Sequence, residues 1–274
     1  MSKFEIPYNW DLHEIEILEK KIPGFLKNVE SFYLPAFIEH SHATRIELQR
    51  KIPKTLDEYE THINYLKSHG VKICILLQEL DNDISLEILK YYIDDLGIRL
   101  FTVVQDRVAK RIKDYNKDCI INASILKCLK YKDILSKDLS MYDRIVLLQK
   151  FNVCLDVVKE LPKTHEYIII PNSFCHYKCK PEWCLDHWRG NLNPKCVDMP
   201  FDDVTVIYPE DLYLFEPYIS VFKLQGRDRE NTEFLLELIM PYLTGKSDGF
   251  IKKGSFISVE ERMYNVFKYN GSFE

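Results

Sequence analysis

Short runs of β-branched and aromatic residues alternate with segments of helical periodicity along almost the whole chain, and this alternation constrains the fold more than any other feature. The strand-like runs are Phe4–Asn9, Ser31–Phe37, Val71–Leu77, Arg99–Val104, Cys119–Ala123, Arg144–Leu148, Tyr167–Pro171, Val204–Tyr208 and Val221–Leu224. Between them, Thr55–Ser68 sets Leu56, Tyr59, His62, Ile63 and Leu66 on one helical face, behind a Thr N-cap and ahead of Gly70. Asp83–Asp95, Arg107–Tyr115 and Asn231–Leu243 follow the same pattern. Strand and helix in strict alternation, joined by right-handed crossovers, build a parallel sheet. Eight or nine such units in 274 residues predict a (β/α)8 TIM-like barrel of parallel strands, with one run in excess. An open dinucleotide-binding sheet would want Gly-x-Gly-x-x-Gly after its first strand, where this chain has Pro7-Tyr-Asn-Trp-Asp.

Nothing in the composition divides this pattern. The nine glycines and twelve prolines are scattered, with no low-complexity run, so residues 1–274 read as a single barrel domain carrying a cysteine-rich loop at 172–196. The net charge of −5, with acids and lysines interleaved, offers no phosphate-binding track, and nucleic acid is not a favoured partner. The local basic group Arg107, Lys110, Arg111 and Lys113 reads as a solvated helix face. The opening Met1-Ser-Lys-Phe-Glu-Ile-Pro-Tyr lacks the basic-then-apolar plan of a secretory leader, and no apolar run approaches the ~20 residues that span a bilayer. A soluble cytoplasmic protein with no membrane partner is expected.

Four of the eight cysteines, Cys175, Cys179, Cys184 and Cys196, crowd into one segment directly after the apolar run Tyr167-Ile-Ile-Ile. In a reducing compartment such thiols stay available as ligands. Their spacings leave three, four and eleven residues between successive cysteines, so the two-residue knuckle of zinc ribbons is absent. An iron–sulfur cluster accepts more varied spacing, because each thiolate binds a different iron of a larger body. The residues favour a four-cysteine cluster, with zinc or unligated thiols as alternatives, and with His176 or His187 as replacement ligands or hydrogen-bond partners of the ligands. The radical-SAM spacing Cys-x-x-x-Cys-x-x-Cys fits only Cys175 and Cys179, since Cys184 falls two residues late. The separate Cys74, Cys119, Cys128 and Cys154 read as core residues.

A barrel gathers its reactive groups where strands end. Those ends carry Asn9 and Asp11, then Glu39, His40, His42 and Arg45, then Gln78, Glu79, Gln105, Asp106, Asn122, Ser124, Gln149, Asn172, Glu210, Gln225 and Arg227. Asn9, Asp11, His42, Arg45, Asn172, Lys223 and Arg227 are the candidate substrate-binding residues, suited to a polar or anionic small molecule or peptide through charge-assisted hydrogen bonds. No Gly-x-Ser-x-Gly or His-Glu-x-x-His occurs, so the residues give proteolysis no machinery.

The stretch from Ile207 to Arg227 is a run, a helix opened by Pro209, and a run closing in Lys223-Leu-Gln-Gly-Arg. With the opening Ile6-Pro-Tyr-Asn-Trp-Asp and the segment Asn172-Ser-Phe-Cys-His-Tyr-Lys-Cys, it resembles a small branch of the collagenase-like peptidases of unknown catalytic type. The resemblance implies a (β/α)8-like barrel and, as in better understood members, a [4Fe–4S] cluster on four cysteines. Cys175 and Cys179 match the start of the family's cysteine motif; Cys184 and Cys196 are more closely packed than is usual. Lys223, Gly226 and Arg227 match its closing motif, and Gln225 stands where an acid is common. Members of that family take part in oxygen-independent hydroxylation of ubiquinone precursors and RNA bases. The resemblance thus implies a redox-modifying enzyme, with a peptidase or a metal-stapled subunit serving a partner protein as the alternatives.

Overall fold

The computed structural model describes residues 2–37, 39–40, 52–78, 84–173, 205–226 and 232–246, apart from the side chains at 233 and 234. Its strands are β1 (Phe4–Pro7), β2 (Val29–Pro35), β3 (Ile73–Leu77), β4 (Leu100–Val103), β5 (Ile120–Ala123), β6 (Arg144–Val146), β7 (Glu166–Ile169) and β8 (Val221–Lys223). Each pairs in parallel with the next, and β8 pairs with β1 through Phe4↔Phe222 and Glu5↔Lys223, so the ring closes. Eight strands complete the ladder. The ninth expected run, Val204–Tyr208, is the extra one: residues 205–208 run outside the ladder, and the Ile207 N–H bonds the Pro171 carbonyl at 2.9 Å.

The helices are α1 (Glu14–Lys21), α2 (Leu56–Ser68), α3 (Leu86–Lys90), α4 (Asp106–Tyr115), α5 (Tyr131–Ser136), α6 (Leu155–Lys159) and α7 (Thr232–Thr244). The N-cap expected of Thr55 is present: its side chain accepts from the Glu58 N–H while Glu58 reaches back, a reciprocal capping box. The single helix expected over Asp83–Asp95 is divided, and Asp83 itself lies outside the described residues. Ser85 caps α3, which widens into a π turn over Tyr91–Asp95. There the Tyr92 hydroxyl accepts the Phe37 N–H at 2.8 Å, satisfying a backbone donor just beyond β2. Among the described residues no helix is long and apolar enough to cross a membrane.

Strand alternation sorts the side chains into two populations. Phe4, Ile6, Phe32, Leu34, Ile75, Phe101, Val103, Ile121 and Ile145 pack outward in one core with Leu18, Tyr59, Ile63, Leu66, Ile93, Val108 and Ile112 of the helices. Each buried Leu, Ile or Phe in that shell contributes about 1.5–3 kcal/mol. The other phase faces the lumen, and it is partly polar: Glu5, Ser31, Thr102, Asn122 and Lys223 are all buried beside Tyr33 and Cys74. Barrel lumens are usually filled by branched apolar residues.

Candidate active site at the barrel mouth and lumen

The first strand leaves the barrel through a tightly tied turn. Trp10 holds a left-handed φ of 62°, which is costly for a bulky side chain and survives only where neighbours enforce it. The enforcing contacts lie on both sides. The Asn9 N–H donates to Glu14 Oε2 at 2.7 Å, and the Tyr8 hydroxyl sits 2.7 Å from His62 Nδ1 and 3.1 Å from the Asp11 carbonyl oxygen. Asp11 accepts from the His13 N–H at 2.9 Å and from the Thr232 hydroxyl at 2.6 Å. Both Asp11 oxygens therefore tie the turn to α1 and to the start of α7. Burial lowers the pKa of His62, and likewise that of His40, whose Nδ1 lies 3.1 Å from the Tyr92 hydroxyl.

Glu14 is fully buried, with Oε1 left without a partner. Burial holds its carboxyl well above the ordinary value of 4.5; the Asn9 N–H pulls it down and Asp11 adds to the rise. A carboxyl raised in the folded state binds more protons there than in the unfolded chain. Its contribution is therefore fully present below 4.5 and is lost as pH climbs toward the raised value. Glu14→Gln keeps an acceptor for Asn9 and removes the titration. Urea unfolding should show the variant matching the natural protein in acid and gaining on it steadily as pH rises, whereas a constant gap would mean an ordinary carboxyl.

Below the mouth, the Lys223 ammonium of β8 contacts Glu5 Oε2 of β1 and lies 3.8 Å over the Tyr33 ring of β2. Glu5 also accepts from the Ser31 hydroxyl at 3.2 Å, and the Tyr33 hydroxyl donates to the Leu224 carbonyl at 2.7 Å. On the other wall, Cys74 Sγ lies 3.3 Å from the Thr102 hydroxyl, which accepts from Asn122 Nδ2 at 3.2 Å. Burial pushes the Cys74 thiol up, with Glu5 adding to the rise, so it stays protonated. Asn122 Oδ1 is buried without a donor, a state that costs about 1–3 kcal/mol. At the N-terminal end, Arg144 of β6 reaches across the ring to Glu30 of β2 at 3.3 Å and holds Glu166 at 2.6 Å.

The four clustered cysteines fall within residues 174–204, outside the described residues, and the described residues on either side of them are fastened together. Asn152 Nδ2 donates to the Ile170 carbonyl at 2.8 Å and to the Thr205 carbonyl at 2.9 Å, and the Thr205 hydroxyl donates to the Ser173 carbonyl at 3.3 Å. Asn172 pins the neighbouring exit of β8, donating to the Gln225 carbonyl at 3.0 Å and accepting the Gln225 N–H at 2.8 Å.

Of the residues singled out from the sequence, the structure brings Asn9, Asp11 and Asn172 to the mouth and sets Lys223 inside the lumen. His42, Arg45, Arg227, Cys175, Cys179, Cys184, Cys196, His176 and His187 lie outside the described residues. Cys74, Cys119 and Cys154 are buried as expected, and Cys128 is half-buried. Among the described residues no group of three or more His, Cys, Asp or Glu is arranged to hold a metal ion. Sequence reasoning passed over Glu5, Ser31, Tyr33 and Glu14. The usable signal was a lone charge in the inward phase of the first strand, opposite in sign to the one in the last, since a closed ring makes those two strands neighbours.

No family model matches the chain, and no curated protein does either. Among solved structures, that of the U32 peptidase Mk0906 superposes with a TM-score of 0.56 at 13% sequence identity, over 82% of this chain and 93% of that one. At that identity the likeness is one of fold: the chain is a closed eight-stranded parallel barrel that shares its architecture with a U32 peptidase.

Proposed function

We propose that the protein is an iron–sulfur-dependent barrel enzyme acting on a polar or anionic substrate that enters at the C-terminal mouth. Cys175, Cys179, Cys184 and Cys196 would hold a [4Fe–4S] cluster, and the reaction class is oxygen-independent hydroxylation or another redox modification. One observation carries this reading: the two feet of segment 174–204 are bonded to each other and to Asn152 at the strand ends, with Cys175 only two residues beyond Ser173. The donor chemistry fits, because four thiols in one segment are the ligand set such a cluster takes. When bound, the cluster supplies electrons, or an iron able to polarise a substrate oxygen. The chain's own residues do the rest. Asn9 is held at the mouth by the strained Trp10 turn, and Lys223 offers a buried cation whose charge Glu5 balances. His42, Arg45 and Arg227 are the further substrate-binding candidates.

The name of the structural neighbour supports a peptidase reading at the level of fold only, and zinc on the same thiols would suit a stapled subunit that serves a partner protein. Purification without oxygen separates the three. The expected product is brown, with about four irons and four acid-labile sulfides per chain. Cys179→Ala should lose most of both while the far-ultraviolet dichroism of the barrel is unchanged. One zinc and no sulfide in the natural protein would overturn the cluster; peptide cleavage surviving complete metal removal would favour the peptidase.

A further inference from the structure

Among the described residues the lumen holds two buried polar atoms without a partner, Asn122 Oδ1 and, on the neighbouring strand toward the foot, Arg144 Nη1; the first lies on the side of the mouth. Asn122 is fully buried on β5, and its Nδ2 is engaged by the Thr102 hydroxyl at 3.2 Å, yet its Oδ1 has no donor. Buried amide oxygens are almost always paired, with protein, water or ligand. Turning the amide end for end would exchange an orphan acceptor for an orphan donor, so the need for a companion group remains in either orientation.

The surroundings define what that companion can be. Ser124 lies on the same strand phase, one pleat nearer the mouth, and is also buried; its oxygen accepts from the Leu126 N–H at 3.2 Å and from Gln78 Nε2 at 3.4 Å, which leaves its own proton to donate. Gln78, on the inward phase of β3 above Cys74, is only half-buried, so this wall continues upward to the open end of the barrel. Charge points the same way. Lys223 and Glu5 neutralise each other, Arg144 beside Asn122 is paired with Glu30 and Glu166, and Thr102 and Cys74 carry no charge, so an ion entering here would shed its water and find no net counter-charge.

We propose that the lumen wall formed by Gln78, Thr102, Asn122 and Ser124 is a binding subsite for an uncharged hydrogen-bonding group, a carboxamide or a hydroxyl, that answers Asn122. A carboxamide presents an N–H to Asn122 Oδ1 and a carbonyl to the Ser124 hydroxyl; an alcohol does both with one oxygen. The inference rests on the reading of the mouth as the substrate's entrance and is independent of the cluster. It sharpens the substrate class: whatever anionic part the rim holds, the end that reaches the lumen is neutral.

The test uses the full chain, isotope-labelled at asparagine, with acetamide, acetate and methylammonium as equal-sized probes in nuclear magnetic resonance titrations. Acetamide should produce a saturable shift in one side-chain amide pair, the pair missing from Asn122→Leu, and the two ions should not. Removing one hydrogen bond at the site, as in Ser124→Ala, should weaken acetamide by about tenfold. That variant also serves if Asn122→Leu fails to fold. A linear, non-saturating response would mean the orphan is met by water alone and would overturn the subsite, as would acetate or methylammonium shifting the same pair equally. Iron and sulfide analysis of the same samples keeps the two readings apart, because a chain that binds acetamide but no iron loses only the cluster, and the reverse result loses only the subsite.

Discussion

Lys223→Met should be among the most damaging single substitutions in the barrel, costing about 3–5 kcal/mol of stability in urea unfolding. The methionine matches the stem of the lysine in bulk, so little packing is lost. What is lost is the counter-charge of Glu5, a fully buried carboxylate that would keep two neutral partners, the Ser31 hydroxyl at 3.2 Å and the Cys74 thiol. The magnitude reflects a stranded ion more than the worth of the pair itself, and the double variant distinguishes the two. Glu5→Gln with Lys223→Met together should recover most of the loss, because the lumen is again without an unpaired charge. If the double variant were as unstable as the single, packing around Tyr33 rather than charge would be what Lys223 provides.

Gly226→Ala should be the second large effect, at about 1–3 kcal/mol. This glycine leaves β8 at a φ of 154°, where L side chains are rarely found, and an added Cβ would lie 2.6 Å from Leu235 Cδ1 and 3.7 Å from Pro7. Leu235 is itself fully buried on α7, so its methyl can yield only by displacing packed neighbours. Pairing Gly226→Ala with Leu235→Ala should therefore cost less than the sum of the two single losses, the remainder being the backbone strain. Strict additivity in thermal or urea unfolding would show that the contact plays no part.

The barrel was legible from the sequence because its signal is periodic and repeated. Every one of the eight strands falls within or beside an expected run, and the ninth, Val204–Tyr208, misled because extended, apolar residues read alike whether or not they have a partner ladder. The division of the helix over Asp83–Asp95 was invisible for a related reason: a π turn adds one residue without disturbing the apolar pattern, and what it accomplishes, joining Tyr92 to Phe37, is a tertiary fact. At the barrel mouth, residues at strand ends could be placed from position alone, and Asn9, Asp11 and Asn172 lie where the strand pattern puts them. Their bonding could not, since Thr232 meets Asp11, and Gln225 meets Asn172, only through closure of the ring. Glu5 and Lys223 stand 218 positions apart in the chain, and nothing local in either strand announces the other.

The bridge from Arg144 to Glu30, thrown between opposite strands at the foot of the ring, is a tie across the diameter, where every ladder bond runs around the circumference. Arg144 holds Glu166 as well, so the three-residue strand β6 is moored to the far side of the ring and to its neighbour at once, and the two halves of the barrel are coupled by more than the strands between them.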